Sequence, residues 1–359
     1  MTKAFCQLGH EAKLVVHPAA AEPHPDPTHE PLLWATPDEV RHPLWWQKHQ
    51  PEIVILGLWT RPKYDRVRRA ALASTSRLME RADSDGMRTA SCGLFAYAKR
   101  RFDYFRDRSY RWPLPFSVTA AGIYSFASIL ATPWIESRLA RTLDLLPAVA
   151  VETPEATILW KALARRMGVD PQKIHHIPHP IQTDLFHFNP AIPKRNQIIS
   201  VGRWDSYQKN LPLLLKTLGS FLDKNRTWTS LVIGSGLPGK SPHPRITCLP
   251  PLPSPQLAPL MQESRIFLLS SRYESFGLAA AEAVACGNVI VAPNGVWTHS
   301  TPSAPKDDPA SLLDRLSMAS RTPPAHGASS GKNEFSPQNV AQSFLSSMAG
   351  LPLAPTRAS

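Results

Sequence analysis

Glu274 and Glu282 lie in one stretch, Ser270 to Ala292, with seven residues between them. The stretch reads S-S-R-Y-E-S-F-G-L-A-A-A-E-A-V-A-C-G-N-V-I-V-A. An apolar run ends at Leu269, and a polar loop carries Glu274. A small-residue helix is expected from about Phe276 to Cys286, with Gly287 closing it, and a second apolar run resumes at Val289. That succession is the βαβ pattern of a parallel sheet. The start of such a helix offers free N–H groups and a positive dipole end, so Phe276, Gly277 and Leu278 can face a diphosphate. Glu274 just before it can accept hydrogen bonds from sugar hydroxyls. Glu282, ~12 Å further on at ~1.5 Å per residue, can accept them from a ribose. The geometry suits a nucleotide-sugar, although two acids at this spacing also occur as a solvated loop acid and a satisfied helix acid.

A second set of groups lies upstream. Ile198 to Val201 reads as a strand, and G-R-W-D-S-Y-Q-K-N, Gly202 to Asn210, as the turn after it. Arg203 and Lys209 then flank a loop at the carboxyl end of a strand, where parallel sheets bind ligands. An arginine grips a phosphate oxygen bidentately and a lysine adds a point charge, so the two can neutralise a departing diphosphate without a metal. A solvated loop would show the same pair. Leu231 to Ile233 is a further strand ending at Gly234-Ser235-Gly236, where the backbone can approach a phosphate or form a plain turn.

The elements that must position these groups divide the chain. At 359 residues with 43 % hydrophobic content, two domains with packed cores are expected. Residues 1–187 form an N-terminal, acceptor-side domain, 188–335 a C-terminal nucleotide-sugar-binding domain, and 336–359 a helix and tail. The net charge of +12 and pI of 9.7 imply phosphates, an acidic membrane surface or nucleic acid as company. Many of the 37 prolines cluster in 18–43, 238–259 and 302–324, read as loops or connectors. Cys6, Cys92, Cys248 and Cys286 have no paired spacing and read as free thiols of a reducing compartment, the cytoplasm. His17, His24, His29 and His42 lack metal-ligand spacing and read as loop residues.

The N-terminal half carries fewer signals. Met1 to Leu8 reads as the end of a helix and Ala12 to Val16 as a strand. A strand and turn before the first helix are not visible, which reads as a truncation or a late start. Ile53 to Leu58 is a strand, and Tyr64 to Ser74 a helix with Arg66, Arg68 and Arg69 on a cationic face. Leu78 to Glu80 is a strand that runs into Asp83 and Asp85. These two are acceptor-side candidates, with an Asx-capped turn and a metal-binding D-x-D as the other readings. Lys99 to Arg111, K-R-R-F-D-Y-F-R-D-R-S-Y-R, interleaves cations and rings, but no nucleic-acid motif accompanies it. Trp112 to Ile135 is uncharged over 24 residues. Its prolines, Gly122 and hydroxyl residues favour a buried helix over a membrane span, and the basic aromatic lip beside it can also dock on an anionic membrane. Thr153-Pro154-Glu155 is a helix start.

Taken together, I-S-V-G-R-W-D-S-Y-Q-K-N, L-V-I-G-S-G and S-R-Y-E-S-F-G-L-A-A-A-E-A-V-A-C-G resemble the C-terminal domain of the family 4 retaining glycosyltransferases. Lys173 to Phe186, K-I-H-H-I-P-H-P-I-Q-T-D-L-F, is similar to that family's interdomain segment. The resemblance covers about 173–292, and residues 1–172 fit loosely. It implies an α/β protein of the GT-B fold: two Rossmann-like domains whose parallel sheets face a central cleft. It implies transfer of a sugar from a nucleoside-diphosphate sugar to a glycan, lipid-linked or small-molecule acceptor. Arg203 and Lys209 would then meet the diphosphate, Glu274 the transferred sugar and Glu282 the ribose, with Gly202, Gly234 and the Phe276–Leu278 backbone beside the donor. Glu274, Arg203 and Lys209 would be the catalytic set. No side-chain nucleophile, cofactor or metal is implied, because the leaving phosphate takes the acceptor's proton. Peripheral contact with the inner face of an anionic membrane is a further expectation, and nucleic-acid binding is not expected. The chain departs from the family pattern at Ser275, where glycine is common, at His179, where Asn is usual, and in a shorter stretch between Ala292 and Asp308. The alternative is a catalytically inactive relative that binds nucleotides or acts as an interaction module.

Overall fold

The computed structural model describes residues 1–16, 32–58, 60–75, 77–82, 86–293, 309–322 and 334–351. Asp83, Asp85, His17, His24, His29 and the stretch 294–308 lie outside the described residues. The chain forms two compact units. One comprises residues 1–97, 129–180 and 337–359, the other 98–128 and 181–336. These units cut the chain differently from the expected 1–187, 188–335 and 336–359, and the packing within each unit explains why.

In the first unit, β1 (Leu14–Val16) and β2 (Leu32–Trp34) pair in parallel as a separate two-stranded sheet. The main sheet takes β3 (Ile53–Leu56), β4 (Arg77–Arg81), β5 (Ala148–Val151) and β6 (Ile174–His176) in that spatial order, all parallel. Alternate residues of a strand face opposite sides, and a parallel sheet must be covered on both. Leu78, Val149 and Val151 face a core with α3 (Asp65–Leu72), α6 (Thr132–Leu145) and α7 (Pro154–Arg166). Met79, Ala148 and Ala150 face Phe5 of α1 (Thr2–Gln7) and Val340, Phe344 and Met348 of α12 (Pro337–Ala349). The C-terminal helix is therefore a layer of the first unit. α7 starts as its residues dictate: the Thr153 hydroxyl accepts from the Ala156 N–H at 3.1 Å, with Pro154 at the first helical position.

Two expectations need correction here. Arg68 does not belong to a cationic face of α3. It is fully buried, donating to Glu80 at 2.6 Å and 2.8 Å and to Asp65 at 2.6 Å. A guanidinium can be buried only with its charge paired and its donors satisfied, and the carboxylates at 65 and 80 do this. Nor is Trp112 to Ile135 one buried helix. It breaks at Ala131 into α5 (Leu114–Leu130) and the start of α6, and the large apolar residues of α5 are exposed.

The second unit is built on β7 (Arg195–Arg203), β8 (Thr229–Ser235), β9 (Ile246–Leu249), β10 (Ser264–Leu268) and β11 (Val289–Val291), all parallel in the order β11-β10-β7-β8-β9. Ile198, Val232, Ile266 and Leu268 pack with α8 (Leu211–Lys224) and α11 (Pro309–Arg321), and α8 buries Leu214, Leu218, Phe221 and Leu222 at helical spacing. Ile199, Ile233, Phe267 and Ile290 pack on the other side with α9 (Ser254–Glu263) and α10 (Leu278–Ala285). Gly287, at φ 79°, ends the α10 region in the left-handed conformation expected for it. Most of α4 (Leu94–Arg108) and α5 belongs to this unit too, for reasons that lie in its loops.

Candidate functional site

The carboxyl ends of β7, β8 and β10 bring the upstream and downstream groups together. The turn after β7 places Lys209 so that its ammonium meets Glu274 Oε1 at 2.5 Å, and both side chains are largely buried. Ser271 donates to the same oxygen at 2.6 Å, and Gln208 Nε2 donates to Oε2 at 3.4 Å. The backbones are stitched as well. Gln208 Nε2 donates to the Tyr273 carbonyl at 2.9 Å, the Arg272 N–H to the Gln208 carbonyl at 2.8 Å, and Ser270 to the Lys209 carbonyl at 2.7 Å. The two loops thus act as one body carrying a charged pair, 65 residues apart in sequence.

Arg203 stands exposed at the last position of β7, at the rim of the same edge. The turn that follows it is locked from the neighbouring strand. Trp204 is buried, its indole donating to the Ile233 carbonyl at 2.9 Å, and its N–H donates to the Ser235 carbonyl at 2.8 Å. Gly234 has φ 142°, and a Cβ there would meet the Gly202 carbonyl oxygen at 1.7 Å; at Gly236 it would meet the Asp205 N at 2.4 Å. The glycine pair therefore serves the packing of one turn on another, as well as any ligand beside Gly202 and Gly234.

α10 begins at Leu278, with Gly277 at φ 81° before it. Its first N–H groups project beyond the helix, as at every helix start. Phe276, just ahead, is buried in the core against the Phe335 ring at 5.5 Å, so only its backbone faces the edge. Glu282 lies on the second turn of α10. Burial pushes its carboxyl up to about 7. Nearby, burial raises the Cys286 thiol to about 12 and lowers the Lys194 ammonium to about 8. Lys194 donates to the Cys286 carbonyl at 2.7 Å.

The structure also reveals groups that motif reading passed over. The Arg100 guanidinium lies over the Tyr273 ring at 3.7 Å, beside Glu274. The Tyr207 ring takes Arg106 at 5.1 Å and Arg272 at 4.3 Å. Asp107 accepts from the Gln208 N–H at 3.1 Å. Burial pushes the Tyr273 phenol up to about 12, with Arg100 opposing. The interleaved cations and rings of Lys99 to Arg111 are thus a clamp on the loops that carry Lys209 and Glu274, which is why α4 belongs to the second unit. The alternation of charge and ring was visible in the sequence; that its partners were Tyr207 and Tyr273 was not.

In the first unit the corresponding edge carries a buried Glu152, whose carboxylate meets His179 Nε2 at 3.2 Å. His179 is the residue that replaces the usual Asn. Asp83 and Asp85, the acceptor-side candidates, lie outside the described residues.

Residues 195–316 match the family described as glycosyl transferases group 1. No curated protein matches the chain. Among solved structures the chain is similar to HepE of Anabaena, solved with UDP and glucose, at 13 % identity and TM-score 0.54, covering 90 % of this chain and 87 % of that one. It is similar to the sucrose-phosphate synthase of Thermosynechococcus elongatus at 13 % identity and TM-score 0.52, covering 98 % of this chain and 87 % of that one. A GtfA/B complex is similar at 12 % identity and TM-score 0.56, covering 86 % of this chain and 59 % of that one. The chain spans 46 % of the length of S. aureus TarM, at TM-score 0.48. These likenesses concern the fold, which is two α/β units with parallel sheets. The chain has the GT-B fold and carries a glycosyl transferases group 1 domain over residues 195–316.

Proposed function

We propose that the chain is a retaining glycosyltransferase of the family 4 type, moving a sugar from a nucleoside-diphosphate sugar to a glycan, lipid-linked or small-molecule acceptor. The observation that carries this reading is the Lys209–Glu274 pair, held by two stitched loops at the carboxyl edge of the sheet within the glycosyltransferase domain. In this reading the diphosphate takes Lys209 and Arg203, and the N–H groups near Phe276, Gly277 and Leu278 lie beside it. Glu274, released from the ammonium, accepts the hydroxyls of the transferred sugar. Glu282 accepts the ribose hydroxyls, and Gly202 and Gly234 let the backbone lie close. As the glycosidic bond to the phosphate breaks, the cationic groups stabilise the charge that develops on the diphosphate. The departing phosphate oxygen takes the acceptor's proton, so neither a side-chain nucleophile nor a metal is required. Asp83 and Asp85 remain the acceptor-side candidates.

The four cysteines, Cys6, Cys92, Cys248 and Cys286, are unpaired, which supports a cytoplasmic location. Peripheral contact with the inner face of an anionic membrane belongs to the same reading.

The test is release of nucleoside diphosphate from UDP-, GDP- and ADP-sugars, with UDP-glucose first, with and without EDTA. Arg203→Ala should lower turnover by about 100-fold or more, the scale of removing one group that stabilises developing charge, and Glu274→Ala, which removes the acceptor for the sugar hydroxyls and leaves Lys209 without its partner, should also lower it sharply. Unchanged turnover would reject these roles. A second reading follows from the same pair: Lys209 and Glu274 already satisfy one another, as in a relative that binds nucleotides without turning them over. Binding of the donor, seen as thermal stabilisation lost in Glu282→Ala, with no release of diphosphate, would select it.

A further inference from the structure

α5 is turned inside out. Its small hydroxyl residues face the protein. Ser117 is bonded to Arg106 and lies 2.6 Å from the Ser109 hydroxyl, Ser125 donates to the Ala98 carbonyl at 2.7 Å, and Ser128 accepts from Arg101 at 3.2 Å. Its large apolar residues point away. Trp112 just before the helix, and Leu114, Phe116, Ile123, Phe126 and Leu130 on it, are between 54 % and 71 % exposed. Residues 116, 123, 126 and 130 repeat at helical spacing and form one stripe. No residue from 112 to 135 is charged. A helix in water orients the other way, so this face is made for an apolar surrounding.

From these observations we infer that the exposed face of α5 lies in the surface of an anionic bilayer. The helix is parallel to the membrane plane, with its apolar stripe at the boundary of headgroups and acyl chains. Three features select lipid over a second copy of the chain. A protein interface carries about one hydrogen bond per 100–200 Å². This face offers the hydroxyl of Thr119, already given to the Pro115 carbonyl at 2.9 Å. The start of α5 is flanked by Tyr110 and Trp112, the side chains that favour the headgroup level, and both are exposed. The exposed cations Arg108 and Arg111 stand beside them. Arg111 has one long contact, 3.9 Å to Asp205, and is otherwise open to a lipid phosphate. Among the described residues no single helix is long and apolar enough to cross a membrane; α5 and α6 pass that test only together. A helix lying on the surface fits this length and this distribution of charge. The inference rests on the membrane contact of the proposed reading and names the helix that makes it; tested without donor, it stands or falls apart from sugar transfer.

The experiment is sedimentation of the full chain, without donor, with phosphatidylcholine vesicles that contain or lack phosphatidylglycerol. Light scattering of the free protein runs alongside. The wild type should bind the anionic vesicles and remain monomeric without them. Phe116→Ser with Ile123→Ser and Phe126→Ser should lower the partition coefficient more than tenfold. Arg108→Gln with Arg111→Gln should lower it roughly 25-fold, at about fivefold per cation near an anionic surface. Ile123→Asp alone serves as a milder probe of the same face, and all variants should keep the wild-type melting temperature because the altered side chains are exposed. Equal binding by wild type and the triple variant would overturn the inference, as would no binding by a folded wild type. A wild-type dimer that Ile123→Asp converts to a monomer, without vesicle binding, would assign the face to a second copy instead.

Discussion

Replacing Glu282 by glutamine should strengthen the protein while damaging donor binding, with the two effects following pH in linked ways. Burial raises the carboxyl from 4.5 to about 7. The folded state therefore holds the proton more tightly than the unfolded chain does. That advantage is complete below about pH 4.5 and is lost as pH rises through 7, so above pH 7.5 the folded protein carries an ill-solvated carboxylate. At 1.36 kcal/mol per pKa unit the penalty is about 2 to 3 kcal/mol, allowing for the partial exposure of the side chain. Glutamine keeps the shape and removes the charge. By scanning calorimetry Glu282→Gln should melt roughly 5–10 °C above the wild type at pH 8, and the gap should close toward pH 4.5. Lys194 also has a shifted pKa, but it titrates in both proteins and largely cancels in the comparison. Ribose hydroxyls donate best to an ionised carboxylate, so wild-type donor affinity should rise between pH 6 and 8, and that rise should vanish in the variant. A melting gap that does not change with pH, or a wild type more stable than the variant at pH 8, would refute the reasoning.

Three further outcomes follow from contacts within each unit. Glu80→Gln leaves the fully buried Arg68 short of a counter-charge and should cost about 3–5 kcal/mol in urea unfolding, whereas Asp65→Asn, at a partly exposed partner, should cost less. Arg100→Ala removes the guanidinium from the Tyr273 ring; at about 1–2 kcal/mol for a desolvated contact it should raise the donor KM about 5- to 30-fold, with partial rescue by Arg100→Lys. Gly234→Ala drives a Cβ to 1.7 Å from the Gly202 carbonyl oxygen, so the second unit should fail to fold cooperatively, seen as loss of its calorimetric transition.

Much of the second unit could be read from the residues because its signals are local. The apolar runs at 198–201, 231–233, 266–269 and 289–292 lie between turn residues, and they fall on β7, β8, β10 and β11 respectively. Glu274 and the Arg203–Lys209 turn sit on βα loops, and Glu282 on the helix that follows, for the same reason. What stayed hidden depends on contacts distant in sequence. Nothing in K-R-R-F-D-Y-F-R-D-R identifies Tyr207 and Tyr273 as the rings its arginines cover. Nothing near Arg68 announces that Glu80 lies beneath it. The reversed face of α5 misled because apolar composition alone does not say which side of a helix meets the protein, and there the serines do.

The position of α12 bears on the order in which the protein can be completed during synthesis. The face of the first sheet formed by Met79, Ala148 and Ala150 is covered by Val340, Phe344 and Met348. A ribosome makes the strands early and that cover only after residues 181–336 of the second unit. Until then the nascent first unit presents an apolar sheet face covered only in part, by α1, while most of the second unit is made, a surface suited to holding by chaperones. Emergence of α12, rather than emergence of the N-terminal half, is the moment at which the first unit can close.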